Sequence, residues 1–171
     1  QDVPKQIPGL IAMVPEQVEL VIPANTAYVS SSTISVDGTQ VEFQSYALRD
    51  ANGYETNYLK LRDVAQVLSG TGAQFEVGWD GAVTITAGAA YTPDGTEMTT
   101  PFYGNRVYED ATADTLVNGA RVELEAILLK DDAGNGYTYY KLRDLGQALN
   151  FQVGWSAEQG IYIHSDQPYE E

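Results

Sequence analysis

Apolar positions along this chain switch between two periods. Val41-Glu42-Phe43 and Val122-Glu123-Leu124 alternate apolar and charged side chains, as a half-buried strand does. Leu61, Val64 and Leu68, and again Leu142, Leu145 and Leu149, fall at i, i+3 and i+7. That spacing gives one apolar face on a short helix of two to three turns. Strands are predicted at Thr33 to Val36, at Val41 to about Arg49, and at Asn57 to Leu61. Two more follow the helix, at Phe75 to Trp79 and Val83 to Thr86. The second half repeats the order. Its strands end at about Lys130 and at Leu142, and its last two are Phe151 to Trp155 and Ile161 to His164. Asp37-Gly38 and Asn118-Gly119 have hairpin-turn chemistry, and Asp50 to Gly53 and Asp131 to Gly134 have turn chemistry.

The recurrence is a duplication. Tyr58-Leu59-Lys60-Leu61-Arg62-Asp63 returns as Tyr139-Tyr140-Lys141-Leu142-Arg143-Asp144, and the shift from Tyr58 to Tyr139 is 81 positions. The same shift relates Val36-Asp37-Gly38 to Val117-Asn118-Gly119. Phe75-Glu76-Val77-Gly78-Trp79 matches Phe151-Gln152-Val153-Gly154-Trp155 at a shift of 76, so the first copy carries five extra residues within Ser69 to Gln74. An insertion of that kind is expected in a surface loop. The helix is expected to begin at the Arg-Asp pair. Asp63 and Asp144 would be its caps, with Gln66 and Gln147 at capping-box spacing. Gly70 and Asn150 suit a left-handed C-terminal cap.

The expected architecture is therefore α+β, two repeats of β-β-β-α-β-β, each an antiparallel sheet curled over one short helix. Residues 1–32 hold Pro4, Pro8, Pro15 and Pro23 and read as a leader with a short strand over Val18 to Ile22. The first repeat spans 33–87 and the second 114–165. Residues 88–113 read as a linker and 166–171 as a tail. A unit of roughly 55 residues buries a limited core, so the copies are expected to support one another.

Composition narrows the function classes. The 171 residues are 43% hydrophobic and 19% charged, which is globular. The net charge of −15 and pI of about 4.2 argue against nucleic acid and against an anionic membrane surface. No apolar run reaches the length of a membrane span. Cysteine is absent and His164 is the one histidine, so a zinc or copper site of the usual type cannot be built within one chain. The start at Gln1 is compatible with removal of a signal peptide or of a tag.

The duplicated block Tyr-x-Lys-Leu-Arg-Asp, followed by Phe-x-Val-Gly-Trp and preceded by Val-[Asp/Asn]-Gly-x-x-Val, resembles the copper amine oxidase N-terminal-like, or stalk, domain. The resemblance covers both units, about two-thirds of the chain. It implies a five-stranded antiparallel sheet around a helix. It also implies a setting on secreted or surface proteins of Gram-positive bacteria. In amine oxidases this module is not the catalytic domain, and nothing here matches their three-histidine copper site or their cofactor-forming tyrosine motif.

Each candidate for chemistry also has a plainer reading. Asp131 to Gly136 is acidic and glycine-rich, but Leu142 stands where an EF-hand has its bidentate Glu, so the stretch reads as a hairpin loop. Ser30-Ser31-Ser32 lies in the leader with no nucleophile elbow. Glu109-Asp110 reads as solvated acids rather than a hydrolytic pair, and His164 as a surface residue. Arg62 and Arg143, with Lys60 and Lys141, suggest either a repeated anion contact or structural ion pairs, and the second is the simpler reading. Trp79 and Trp155, with the twelve tyrosines, suggest sugar stacking, with both tryptophans covering the helix as core or rim residues as the simpler reading. No catalytic, cofactor or metal residue is assigned. The expectation is a non-catalytic extracellular structural or interaction module. A carbohydrate- or peptidoglycan-binding module with exposed aromatics is the alternative. The implied partners are a cell-surface protein or a cell-wall polymer, with the oligomeric state open.

Overall fold

The computed structural model describes residues 21–171. The first strands are β1 (Thr26–Val29), β2 (Ile34–Val36), β3 (Thr39–Val41), β4 (Tyr46–Arg49) and β5 (Glu55–Lys60). Helix α1 (Leu61–Leu68), β6 (Phe75–Trp79) and β7 (Val83–Ala87) complete the first copy. The connecting segment carries β8 (Arg106–Val107) and β9 (Glu109–Asp110). The second copy holds β10 (Thr115–Val117), β11 (Ala120–Val122), β12 (Ala126–Lys130), β13 (Gly136–Lys141), α2 (Leu142–Leu149), β14 (Gln152–Ser156) and β15 (Gly160–His164). The strand predicted over Val18 to Ile22 lies outside the described residues but for Val21 and Ile22, which are exposed and not in a strand.

Two self-contained α+β units of β-β-β-α-β-β are not what forms. The chain is mostly β, with two eight-residue helices among the described residues and three sheets, each built from both copies. The long strand predicted from Val41 to Arg49 is two strands, β3 and β4, interrupted at 42–45, and the equivalent run splits into β11 and β12. Each run serves two different sheets and must turn a corner between them. Each copy thus has six strands, in the order β-β-β-β-α-β-β.

The seven-stranded sheet runs β8-β1-β4-β5-β13-β12-β9, antiparallel throughout. At its centre β5 pairs with β13. Leu59 lies opposite Tyr140, Lys60 opposite Tyr139 and Tyr58 opposite Lys141. Tyr140 is the repeat-equivalent of Leu59, so a pseudo-two-fold axis passes through that pair. The contact is isologous, as in a symmetric dimer, but within one chain.

The N-terminal hairpin of each copy crosses to the other copy. Hairpin β2–β3 joins β14–β15 in one four-stranded sheet, and β10–β11 joins β6–β7 in the other. The joining pairs, β2 with β15 and β10 with β7, are parallel, a further departure from the all-antiparallel expectation. The turns make the exchange tight. Asp37 and Gly38 have φ of 50° and 88°, and Asn118 and Gly119 have 53° and 86°. These left-handed values suit a two-residue hairpin turn. The Asp37 N–H donates to the Ile163 carbonyl, and the Asn118 N–H to the Ile85 carbonyl, both at 2.9 Å. Their side chains accept from the Ser165 and Ala87 N–H groups.

Burial follows from this exchange. One core holds Ile34, Val36, Leu59, Leu61, Val64, Leu68, Phe75 and Ile85 together with Tyr140, Leu142, Leu145, Phe151, Val153 and Ile163. It covers the sheet face that presents Leu59 and Tyr140. On the opposite face Tyr46, Tyr58, Ile127, Leu129 and Tyr139 form a second cluster around Phe102.

The helices begin one residue before the Arg-Asp pairs, and their caps fall three residues earlier than predicted. Lys60 and Lys141, the last residues of β5 and β13, occupy the cap positions and make no side-chain capping bond. Asp63 and Asp144 stand third in their helices, where a carboxylate still favours the dipole. Their oxygens reach sideways instead, Asp63 to the Met98 N–H and Asp144 to the Glu125 N–H, both at 2.8 Å. Asn150 takes the left-handed C-cap as predicted, with φ of 61°. The five-residue insertion is not wholly superficial, since its Ala73 is buried in the main core.

Two outcomes are expected. Ile85→Ala and Ile163→Ala occupy equivalent buried sites under the exchanged hairpins, and each should lower unfolding free energy by about 2–5 kcal/mol in denaturant titration. Residues 114–171 alone should fail to give a dispersed amide NMR spectrum as a monomer, because β10 then lacks β7 and β15 lacks β2. A folded monomeric fragment would contradict the exchange.

Candidate functional site

Because the sheets are shared, the repeat-equivalent surfaces meet twice, and each meeting forms a cleft. Cleft 1, of about 370 Å³, is walled by Arg62, Gly78, Trp79 and Val83 of the first copy and by Gly136 to Thr138 of the second. Cleft 2, of about 410 Å³, is walled by Arg143, Gly154, Trp155 and Ile161 of the second copy and by Glu55 to Asn57 of the first. Every one of these positions is the other's equivalent under the repeat. Neither cleft exists within a single copy.

Strand geometry places the tryptophans. Alternation along β6 and β14 puts Trp79 and Trp155 on the core-facing side, with Val77 and Val153, but at strand ends beyond the core. Each is 65% exposed. Of the two places expected for them, core or rim, the core is thus excluded. Core filling is complete with Phe75, Val77, Phe151 and Val153, and the next position on that face overhangs the cleft. The preceding glycines keep the adjacent strand close. A Cβ on Gly154 would come within 2.3 Å of the Tyr162 ring, and one on Gly78 within 2.8 Å of the Thr84 hydroxyl.

The lysines behave as structural partners. Lys60 is buried, donates to the Thr99 carbonyl at 3.0 Å and lies 3.6 Å from Asp63. Lys141 is more open and pairs with Glu125 at 2.9 Å. The arginines diverge. Arg62 pairs with Asp94 at 3.5 Å and donates to the Tyr91 hydroxyl at 3.0 Å. Tyr91 in turn donates to Glu97. Arg143 donates to the Val153 carbonyl at 3.0 Å and has no carboxylate partner among the described residues.

The difference comes from residues 88–113, expected to be a linker. They form a strap. Tyr91 and Phe102 are buried, Asp94 and Thr96 reach cleft 1, and β8 and β9 extend opposite edges of the large sheet. Sequence reasoning passed over Tyr91, Asp94, Glu97 and Phe102. The available signal was four large aromatics, Tyr91, Phe102, Tyr103 and Tyr108, in a stretch otherwise rich in turn residues.

The other candidates resolve locally. Asp131 accepts from the Ala133 and Asn135 N–H groups, the Asn135 amide and the Tyr137 hydroxyl, so its oxygens serve the hairpin turn. Glu109 pairs with Lys130 at 3.1 Å on an exposed edge. Ser30 donates to Asn57. His164 is half-buried at the end of β15, stacked on Tyr162 at 4.6 Å.

No family model, curated protein or solved structure matches the chain.

Titration in cleft 1 runs in two directions. Burial raises the Asp63 carboxyl above its ordinary value, against the Met98 N–H and Lys60. Asp94 is held low by hydrogen bonds from Thr96, then by Arg62. Burial works to raise Glu97, but bonds from Tyr91 and from the Asp94 and Gly95 N–H groups outweigh it and hold it low. Depressed carboxylates contribute stability that is present above their unfolded pKa values and lost as pH falls through the folded ones. Asp63 has the opposite sign: its contribution is present at low pH and lost as pH rises through its raised value. The strap contact on Arg62 should therefore loosen below about pH 4. With Trp155→Phe, the remaining Trp79 emission should shift in that range before global unfolding. With Trp79→Phe, the Trp155 emission should stay flat until the fold is lost.

Proposed function

We propose that this chain is a non-catalytic interaction module of the bacterial cell exterior, and that its contact is with sugar rings of a cell-wall polymer. The observation that carries this reading is the pair of equivalent clefts, each with a tryptophan indole 65% exposed at its rim. Exposed aromatic faces beside hydrogen-bonding groups suit pyranose rings, whose C–H faces are apolar and whose edges are polar. The extracellular setting rests on the resemblance of the duplicated blocks to stalk domains.

A hydrolytic reading has less support. Glycoside hydrolysis uses two carboxyl groups flanking the bond. In cleft 2 the lining carboxylate is Glu55, paired with Arg49 at 3.0 Å. In cleft 1 Asp63 is 2% exposed and committed to the Met98 N–H, while Asp94 is paired with Arg62.

Sedimentation of the full chain with purified wall sacculi tests the proposal. The double variant Trp79→Ala, Trp155→Ala should lose at least about tenfold in apparent affinity, some 1.4 kcal/mol, with its thermal unfolding unchanged. Equal retention of the double variant would refute the role of the clefts.

A further inference from the structure

The two clefts share a plan but differ in state. In cleft 1 the guanidinium of Arg62 already holds a carboxylate, that of Asp94, delivered by the strap. That strap is fixed independently. Lys60 donates to the Thr99 carbonyl, Asp63 accepts from the Met98 N–H, and Tyr46 donates to the Gly104 carbonyl at 2.7 Å. The segment after β15 enters in the same way, with the Glu170 N–H on Gln152 Oε1 as the Thr92 N–H is on Glu76 Oε1, but among the described residues it brings no carboxylate to Arg143. Arg143 is exposed and spends one N–H on the Val153 carbonyl, which leaves the rest of its planar fork open. The other charged groups at cleft 2 are already paired, Lys141 with Glu125 and Glu55 with Arg49.

We propose that cleft 2 takes a carboxylate-bearing saccharide, with its carboxylate on Arg143 and its ring against Trp155, while Asp94 occupies the same place on Arg62 and keeps cleft 1 self-filled. Asp94 is the internal counterpart of the ligand: the same fork, beside an equivalent indole, is met in one copy by the chain's own carboxylate. This rests on the reading of the clefts as sugar sites and adds the ligand's charge and the inequality of the two sites. The net charge of −15 does not oppose it. At physiological ionic strength charges beyond about 8 Å are largely screened, so the local guanidinium decides.

The test is isothermal titration of the full chain with three saccharides. Oligogalacturonate carries a uronic carboxylate, peptide-free muramic-acid glycan strands carry a lactyl carboxylate, and a chito-oligosaccharide is neutral. One or both acidic saccharides should bind at one site per chain, at least tenfold tighter than the neutral one, and which of them binds identifies the carboxylate's source. Arg143→Gln should weaken that binding at least tenfold, and Arg143→Lys should restore part of it. Arg121→Gln removes the same charge from a distant exposed pair and should change nothing. Asp94→Ala should raise the stoichiometry from one to two. Equal binding of the neutral oligomer overturns this inference but leaves the sugar reading intact. Two sites in the unaltered chain, or full affinity in Arg143→Gln, overturn it likewise. Binding of none of the three overturns the inference, and the sacculus assay then decides separately whether the sugar reading falls with it.

Discussion

The antiparallel pairing of β5 with β13 is the constraint on which the rest depends. It sets Leu59 against its own repeat-equivalent Tyr140 and so fixes a pseudo-two-fold axis at the centre of the large sheet. Once the axis is there, the two α1 and α2 corners are side by side, and each N-terminal hairpin lies within reach of the other copy's last two strands. Ile34, Val36, Ile85 and Ile163 then fill one core instead of two halves of a marginal one. A unit of about 55 residues would bury too little apolar surface alone, and exchange answers that shortage.

The same symmetry makes the clefts. A cleft needs the Arg-bearing corner and the Gly-Trp strand of one copy, and the strand before the helix, β13 or β5, of the other. Duplication followed by exchange therefore yields two clefts with the same skeleton. The strap then breaks the equivalence. It starts from the end of β7 and crosses the first copy's corner, so its polar groups engage Lys60, Arg62 and one oxygen of Asp63. The second copy's corner instead has Glu125 from its own copy beside Lys141 and Asp144. What duplication made equal, the connecting segment made different.

Much of the local structure was legible in the residues. Asp37-Gly38 and Asn118-Gly119 specified two-residue turns, and the i, i+3, i+7 leucines specified two short helices with the correct buried faces. Other features were not legible. The run from Val41 to Arg49 reads as one strand because a strand that changes sheets keeps its alternation on both sides of the bend. Trp79 and Trp155 read as core or rim because their strand positions have core parity; which of the two holds depends on where the neighbouring layer ends. The strap reads as a linker because turn residues dominate it, while Tyr91 and Phe102 find their pockets only after the sheet has formed.

The sequence by itself determined the duplication, the kind and order of most elements, the turns, and which residues are apolar enough to be buried. It could not determine which copy's hairpin joins which copy's strands. The partner strands Phe75 to Ala87 and Gln152 to His164 carry nearly the same pattern, so pairing within a copy or between copies satisfies the residues equally well. Only the tertiary structure decided between them, because chain path and shared burial, not local pattern, distinguish two identical partners. The clefts, and the contrast between Arg62 held by Asp94 and Arg143 left open, follow from that decision.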